Sequence, residues 1–199
     1  MVLKKEVMDS IINKLKHPHS MSKKEVQKLI AELNIGISTL HHIATHDDKT
    51  GLHNLSFFKE IFAIEAAQAI RGKALSILIT DVDSLKRLND YHGQVTVDNL
   101  LKRIGVVILK ELRPYDVLAR FGGDEFVIML PDTSLDPAGL IADRLRKAIS
   151  GDSVLSPYGI TLSFGVSSFE AKDNFHTIID RADKALYKAK REGRNKVCF

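Results

Sequence analysis

The chain has 199 residues, of which 44% are hydrophobic and 27% are charged. These are the proportions of an ordinary globular domain, and they exclude a disordered or low-complexity chain. The formal net charge is +4, and much of the basic excess lies at the two ends, so a small polyanion fits the scattered central cations better than nucleic acid does.

Membrane, export and disulfide signals are missing from the sequence. No apolar run approaches the roughly 18 to 20 residues that span a bilayer, and the N-terminus lacks the apolar core of a signal peptide. The one cysteine, Cys198, excludes an intrachain disulfide and a cysteine-based zinc site. We therefore expect a cytoplasmic protein with no membrane partner and no nucleic-acid partner.

Residues 1–45 form the first predicted domain, which is helical. Ser22 to Glu25 has the spacing of a capping box, so a helix is predicted to start there. Apolar residues then recur at steps of four and three, which is the heptad seam of a coiled coil. The seam consists of Val26, Ile30, Leu33, Ile37, Leu40 and Ala44. We predict a short coiled-coil stalk; an amphipathic helix that packs on its own domain is the alternative, since Gly36 lies beside the seam.

Two smaller features of this segment carry less information. Val7, Ile11 and Leu15 predict a further short helix before the stalk. His42 and His46 are four residues apart and form at most half of a metal site. Because no acidic or cysteine partner stands at a fixed spacing, we interpret them as part of a solvated stalk face.

Residues 46–199 form the second predicted domain, in which helix and strand patterns alternate. Short apolar runs that end at turn residues predict buried strands, and apolar steps of three and four predict helices. The predicted helices are Phe57–Ile70, Val97–Leu112, Leu135–Ile149 and Phe175–Lys190. The predicted strands are Ala74–Thr80, Val117–Arg120, Glu125–Leu130, Tyr158–Phe169 and Lys196–Phe199.

The order of these elements predicts the fold class. A β-α-β-β-α-β chain with extra helices is an α/β (α+β) protein with a ferredoxin-like, polymerase-palm-like central sheet, mostly antiparallel and flanked by helices. We expect the helices on one face of the sheet. Because this architecture hosts many functions, the function must be argued from the site.

The stretch RFGGDEFVIML places two glycines and two acids between two predicted strands. Gly122 and Gly123 predict a tight hairpin turn with positive φ, which glycine adopts freely. Without side chains at these positions, an anion can also approach the backbone amides. Taken alone, Asp124 and Glu125 are better explained as solvated acids of the turn.

A second acidic pair, Asp81 and Asp83, follows the apolar strand that starts at Ala74. In the predicted sheet this strand end can lie beside the hairpin, so that Asp81 and Asp124 converge. Magnesium takes one or two carboxylates together with phosphate oxygens. The two acids therefore predict a site for Mg²⁺ bound to a nucleoside triphosphate.

Three cations complete the predicted site. Lys86 lies five residues beyond Asp81, and Lys190 and Arg194 lie at the end of the last predicted helix, where Gly193 indicates a helix stop. Cations at a helix end either complement the helix dipole or neutralise phosphate charge during transfer. Both interpretations stay open at this point.

Five stretches of the chain together resemble the GGDEF-domain diguanylate cyclases, which condense two GTP into cyclic di-GMP. They are DDKTGLHNLSFF, DVDSLKRLNDYHGQVTVDNL, RFGGDEFVIMLPDT, TLSFGVSS and RADKALYKAKREGRNKV. The resemblance covers roughly Asp47 to Val197 in the family's motif order, and five ordered motifs are highly specific. The N-terminal segment falls outside it.

The resemblance implies a metal site and a catalytic site at the hairpin. Asp81, Asp124 and the carbonyl of Val82 would hold Mg²⁺ or Mn²⁺, with two ions per active site. Glu125 would assist the attacking 3′-hydroxyl or the second metal. The implied reaction is in-line displacement of pyrophosphate, with Asp124, Glu125 and Lys86 as the catalytic side chains.

The resemblance also implies how GTP is bound. Asn89 and Asp98 would read the guanine edge, with Gln94 near the base. The triphosphate would be held by Lys86, Lys190, Arg194, the amides near Leu85 and the backbone of Gly122 and Gly123.

A product-binding site is implied as well. Arg113 and Asp116, in RPYD, stand nine residues before the glycine pair at the spacing of the family's inhibitory site for its own product, and Arg144 matches a third position of it. Arginine grips phosphate bidentately and stacks on guanine. Surface ion pairs are the alternative explanation.

Four positions depart from the family pattern. Leu85 replaces phenylalanine, a mild apolar swap, and Leu55 replaces arginine, which removes a structural charge. Gln94 replaces histidine, and Val97 replaces glycine, so that a β-branched residue narrows the guanine pocket or alters the helix entry. Since no metal ligand is lost, activity is expected.

Two alternatives to the cyclase remain open. One is a catalytically decayed domain that acts as a cyclic di-GMP receptor, and the other is a cyclase or polymerase that uses ATP. The expected enzyme is a homodimer, because joining two GTP molecules requires two active sites that face each other.

Overall fold

A computed structural model describes residues 12–13 and 22–199 of the chain. The chain separates into two compact units, residues 1–44 and 45–199, and each is considered by itself. The helix predicted from Val7, Ile11 and Leu15 lies outside the described residues.

The N-terminal unit contains the long helix α1, Lys23–Thr45. It starts where the capping box predicts. The Ser22 amide donates to Glu25 Oε2 at 2.8 Å, and the Glu25 amide donates to Ser22 Oγ at 3.3 Å. Apolar side chains along the helix remain exposed, including Ile30 (52%), Ile37 (63%) and Leu40 (60%). Most of the predicted seam is therefore open to solvent in the single chain, and Leu33 is half-buried.

The second unit is built on a five-stranded sheet with the strand order β2-β3-β1-β4-β5. The strands are β1 Leu75–Val82, β2 Val117–Arg120, β3 Glu125–Pro131, β4 Leu162–Ser168 and β5 Val197–Cys198. Only the last pairing, β4 with β5, is parallel. The predicted mostly antiparallel α/β sheet is confirmed.

The strands are connected by helices and one short 3₁₀ turn. The helices are α2 Leu55–Ala69, α3 Leu85–His92, α4 Gln94–Glu111, α5 Leu135–Gly151 and α6 Phe175–Arg191, and the turn is Ser156–Tyr158. The predicted helices are confirmed with small shifts at their ends. Helix α3 was not predicted.

Helices cover both faces of the sheet, so the expectation of helices on one face is wrong. Every residue of β1 is buried. Leu78 packs in the cluster that includes α4 and α5, whereas its neighbours Ile77 and Ile79 pack in the cluster that includes α2 and α6. An uninterrupted apolar run, as in residues 74–80, is typical of a strand that is buried on both sides.

Helix α6, which carries Lys190, packs tightly on β4. The contact occurs at Gly165, where an added Cβ would overlap the carbonyl oxygen of Ala182 and the amide of Leu186. The start of α6 is anchored by Arg181, whose guanidinium donates two hydrogen bonds of 2.6 Å to the Asp173 carboxylate. These bonds, against the opposing effect of burial, lower the pKa of Asp173 to about 2.

Candidate active site

Three acidic residues meet where β1 ends beside the turn between β2 and β3. The antiparallel register pairs Asp81 with Glu125, and the Val82 amide donates to the Asp124 carbonyl at 3.3 Å. Two sequence-distant acidic motifs are therefore adjacent because β1 lies next to β3. The convergence of Asp81 with the hairpin follows from this pairing.

The charges at this point of the sheet are strongly coupled. Lys190 Nζ lies 2.7 Å from Asp81 Oδ2, and the Asp81 side chain is only 10% exposed. Burial raises the pKa of Asp81; Lys190 opposes the rise, and the negative charges of Asp124 and Asp83 add to it. Burial also raises the pKa of Glu125, followed by repulsion from Asp81 and Asp124. One lysine therefore faces an excess of carboxylates.

Asp83, the second acid of the DVD motif, links segments of the fold through hydrogen bonds. Its carboxylate accepts hydrogen bonds of 2.7 Å from the hydroxyls of Thr161 and Ser163 and one of 3.0 Å from the Asn195 amide. Its oxygens thus join the end of β1 to the beginning of β4 and to the turn after α6. Only Asp81 of this pair faces the acidic turn.

The glycine turn differs from the predicted one. Positive φ occurs at other glycines but not at Gly122 or Gly123, so that expectation is wrong. Phe121 pairs with Glu125 through a 2.9 Å backbone hydrogen bond, which leaves a three-residue loop in place of the two-residue turn that needs positive φ. A Cβ on Gly122 would lie 3.0 Å from Glu125 Oε2, whereas Gly123 has open space around it.

Arg120 holds this loop, a role that was not predicted from the sequence. Its Nε donates to the Gly122 carbonyl at 2.9 Å and its Nη2 to the Gly123 carbonyl at 2.5 Å. Its Nη1 bonds Asp47 Oδ1 at 3.0 Å. The only sequence signal is its place directly before the motif, which does not distinguish a structural arginine from a phosphate-binding one.

The predicted base-reading residues form a hydrogen-bonded chain across the junction of α3 and α4. Asn89 Nδ2 donates to Gln94 Oε1 at 3.0 Å, and Gln94 Nε2 donates to Asp98 Oδ1 at 2.9 Å. The oxygen Oδ1 of Asn89 is buried and has no hydrogen-bond partner among the described residues. The structure thus brings these three side chains together.

Two of the three remaining departures from the family pattern, Val97 and Leu85, pack in the core. Val97 is 1% exposed and belongs to the apolar cluster between the sheet and α4, and Leu85 packs against the same cluster. Lys86, next to Leu85 in the first turn of α3, is exposed. Leu55, half-buried, is the first residue of α2.

Arg194 lies in a turn of unusual backbone geometry. Gly193, Arg194 and Asn195 all have positive φ, of 109°, 62° and 46°, and the predicted helix stop at Gly193 is confirmed by the end of α6 at Arg191. Arg194 lines a cavity of about 500 Å³ together with Ser84 and Arg87. It is therefore beside the start of α3, whereas Lys190 contacts Asp81.

The predicted product-site residues also form one cluster. The Arg113 amide donates to Asp116 Oδ2 at 2.8 Å, while Asp116 Oδ1 is buried without a partner in the described structure. Burial raises the pKa of Asp116, and the charges of Arg113 and Arg144 oppose the rise. Arg144 is also paired with Glu111, at 3.2 Å, a residue that the sequence did not point to.

The described residues contain neither a cluster of metal-ligating side chains nor a membrane-spanning helix. No three histidine, cysteine, aspartate or glutamate side chains within residues 12–13 and 22–199 group closely enough to hold a metal ion by themselves. In the same part of the chain, no helix has the length and apolar character needed to cross a membrane.

Comparison with curated proteins finds diguanylate cyclases. The chain is 40% identical over 158 residues to diguanylate cyclase DgcP of Pseudomonas aeruginosa, covering 77% of this chain and 24% of that protein. It is 34% identical to diguanylate cyclase A of Treponema denticola, covering 84% of this chain and 47% of the relative. The chain thus spans between about a quarter and a half of the length of these relatives.

Comparison with solved structures finds the same architecture. The coiled coil and GGDEF domain of DgcB from Caulobacter crescentus, in complex with c-di-GMP, aligns with a TM-score of 0.81 at 26% identity, over 93% of this chain and 98% of that one. Diguanylate cyclase SiaD of Pseudomonas aeruginosa, in complex with its activator SiaC, aligns with a TM-score of 0.75 at 31% identity, over 98% and 75% of the two chains.

A family model agrees with these similarities and with the position of the acidic turn. The model of the diguanylate cyclase GGDEF domain matches residues 44–196, which include strands β1 to β4, the paired acids and helix α6. The chain therefore belongs to the diguanylate cyclase GGDEF-domain family.

Proposed function

We propose that this chain is a diguanylate cyclase that condenses two GTP molecules into cyclic di-GMP and releases two pyrophosphates. The observation that carries the proposal is the meeting of Asp81 with Asp124 and Glu125, beside Lys190, at adjoining strand ends. The similarity to proteins named diguanylate cyclases supports it.

The donor set at the strand ends suits a hard divalent cation. Asp81 and Asp124 would hold Mg²⁺ or Mn²⁺ together with the carbonyl of Val82, two ions per site, and phosphate oxygens would complete the shell, as Mg²⁺ sites commonly do. Such ions, when bound, offset charge on the attacking and leaving oxygens of an in-line displacement. A divalent cation fits this site because Lys190 does not balance the negative charge of the neighbouring carboxylates.

The chain's own side chains then position the reactants. Asn89 and Asp98 bind the guanine, and Lys86, Lys190 and Arg194 bind the triphosphate with the amides near Leu85. When substrate binds, Lys190 leaves the Asp81 carboxylate and bonds a phosphate oxygen instead. Glu125, whose pKa is raised by burial and by the neighbouring acids, is suited to accept a proton from the attacking 3′-hydroxyl, because a catalytic base works best with a pKa shifted toward the operating pH.

The glycine loop contributes through its shape. Gly122 and Gly123 present a backbone that carries no side chains toward the acids, and Arg120 fixes the direction of both carbonyl groups. A bulky triphosphate can therefore approach this loop closely. Any residue larger than glycine at position 122 would meet the Glu125 carboxylate.

Two chains are required for one product, since each chain offers one GTP site. The exposed seam of α1 supports a homodimer in which the stalks pair and the active sites face each other. The solved structure of DgcB, which has high structural similarity, contains a coiled coil together with its GGDEF domain. The N-terminal segment would then serve as the dimerisation stalk.

The cluster of Arg113, Asp116 and Arg144 would bind the product and inhibit the enzyme. Asp116 Oδ1 is buried without a partner in the described structure, and such an atom is satisfied when a guanine N–H donates to it. The arginines supply the charge for the product phosphates.

The test is incubation of the chain with Mg²⁺ and GTP, and separately with ATP, followed by mass analysis of the products. We expect cyclic di-GMP from GTP, no cyclic product from ATP, and no product from Asp124→Asn at an unchanged unfolding temperature. Product formation by a folded Asp124→Asn chain would contradict the metal assignment. A chain that binds cyclic di-GMP but converts neither nucleotide would be a receptor.

A further inference from the structure

We propose that Gln94 determines the base specificity of the nucleotide site by fixing the orientation of the Asn89 amide. The inference rests on the proposed function, in that Asn89 and Asp98 contact the base. Gln94 is then a positioning residue. It does not need to touch the base, because it determines whether Asn89 presents a donor or an acceptor to the base.

The direction of the hydrogen-bond chain follows from the chemistry of its last member. An ionised carboxylate only accepts hydrogen bonds, so Gln94 must turn its NH₂ group toward Asp98, where the distance is 2.9 Å. The carbonyl oxygen of Gln94 then faces Asn89, which must donate through Nδ2 at 3.0 Å. The carbonyl oxygen of Asn89 is left pointing away from Gln94.

Two acceptors remain for a ligand. Asn89 Oδ1 is buried and lacks a partner in the described chain, and Asp98 uses Oδ1 for Gln94, which leaves Oδ2. A buried acceptor without a donor destabilises the empty site, and a ligand that donates to it removes that cost. The ligand that fits presents two adjacent N–H donors.

Guanine has such an edge and adenine does not. The N1–H and the N2 amine of guanine are neighbouring donors on the base-pairing edge, whereas adenine has an acceptor at N1. Hypoxanthine keeps N1–H but lacks the amine. A site built to bond an N–H group rejects the analogue that lacks it, because its own polar group then stays unpaired. The orientation of Asn89 thus selects guanine over hypoxanthine.

A purely structural role for Gln94 makes a different prediction. Gln94 and Asp98 are four residues apart on α4, and such pairs stabilise a helix slightly. If this were the whole role, removal of the pair would lower stability slightly and leave the preference between bases unchanged. Base preference is therefore the decisive measurement.

The experiment measures dissociation constants for GDP and IDP by calorimetry, since neither diphosphate can be condensed. The native chain is expected to prefer GDP by roughly tenfold or more. In Gln94→Met the Asn89 amide is free to rotate, and the preference should fall to about threefold or less. Gln94→Glu keeps the acceptor for Asn89, so its preference should stay near the native value while both diphosphates bind more weakly beside Asp98.

Turnover supplies a second readout and separates the two proposals. With GTP, Gln94→Met should raise KM and leave kcat near native, and Val95→Ala, an exposed neighbour (78%), should change neither the KM nor the base preference. An unchanged GDP preference in folded Gln94→Met, or equal losses in the Met and Glu variants, overturns the inference about Gln94. A native chain that prefers GDP yet never converts GTP overturns the cyclase proposal alone, and a chain that binds neither diphosphate overturns both.

Discussion

The guanidinium of Arg120 joins the glycine loop to Asp47, which lies 73 residues before Arg120, near the beginning of the second unit. The ion pair with Asp47 measures 3.0 Å, and the Arg120 side chain is 7% exposed. Although burial opposes it, hydrogen bonds from Thr50 and Arg120 lower the pKa of Asp47. The position of the loop that carries Asp124 therefore depends on one buried arginine.

Replacing Arg120 with lysine should reduce turnover at least tenfold and lower the unfolding free energy by about 2 kcal/mol, because the single nitrogen of a lysine cannot occupy the positions of the three guanidinium nitrogens that bond Asp47 and the two carbonyls. Arg103→Lys is the matched control. Two nitrogens of Arg103 bond the Asp152 carboxylate, at 3.1 and 2.7 Å. This ion pair lies outside the proposed active site. It should lose stability without losing turnover per folded chain, and equal activity losses in both variants would contradict a specific role for Arg120.

Replacing Arg113 with alanine should weaken the binding of cyclic di-GMP at least tenfold, since a charge-assisted phosphate contact is lost. The initial rate with GTP should stay within about twofold of native, and product inhibition should be relieved. Calorimetry with cyclic di-GMP and progress curves with GTP measure the two effects. The exposed Arg71, before β1, offers Arg71→Ala as the control. Undiminished affinity of the Arg113 variant would remove this site.

Replacing Leu33 with aspartate should lower activity in dilute solution and restore part of it at high protein concentration. A stalk of about three heptads associates weakly, and a charge in its seam weakens it further. The measurement is initial rate against chain concentration, with sedimentation in parallel. Asn34→Asp adds the same charge next to the seam and should behave as native. Equal specific activity at all concentrations for a monomeric Leu33 variant would exclude the stalk from the mechanism.

Replacing Gly165 with alanine should destabilise the chain by about 3 kcal/mol or more, because an added Cβ overlaps backbone atoms of α6, which cannot yield as a side chain does. Gly151, at the end of α5, has open space around it, so Gly151→Ala should be neutral or slightly stabilising. Urea unfolding of both variants is the measurement. A native-like Gly165→Ala chain would show that β4 and α6 are farther apart than described.

The pair of Asp173 with Arg181 predicts a pH dependence of stability. Because the pKa of Asp173 is lowered to about 2, its contribution is present in full above the ordinary carboxyl pKa near 4 and is lost as the pH falls from about 4 to about 2. A shift of this size corresponds to about 2 kcal/mol. The difference in unfolding free energy between native and Asp173→Asn chains should therefore shrink over that range. A constant difference would contradict the pairing.

Local patterns were sufficient for most of the fold. The run of apolar residues that ends at Asp81 predicts β1, and the capping box at Ser22 predicts the start of α1, because both depend on neighbours in sequence. Helix α3 was not predicted because it has only eight residues and none of them is fully buried, so it lacks a clear apolar pattern. Its existence depends on how the chain leaves β1, which is a tertiary property.

The site was predicted in part, and the reason is similar. Residue types and motif order pointed to Asp81, Asp124 and Lys190, since metals and phosphates restrict which side chains are suitable. The role of Asp83 depends on partners that are 78 or more residues away in sequence. The role of Arg120 depends on Asp47, which is 73 residues away. The glycine conformation also depends on loop length, which Arg120 and the β2–β3 register determine together.

The three hydrogen bonds of Asp83 have a consequence for synthesis of the protein on the ribosome. The last donor, the Asn195 amide, is 112 residues downstream of the carboxylate, and β5, at Val197–Cys198, supplies the parallel neighbour of β4. A nascent chain that has exposed only residues up to α6 lacks one of the three hydrogen-bond donors of Asp83 and leaves one edge of β4 unpaired. The domain can therefore complete its fold only after residue 198 has left the exit tunnel, and until then the edge of β4 is open to pairing with other nascent chains.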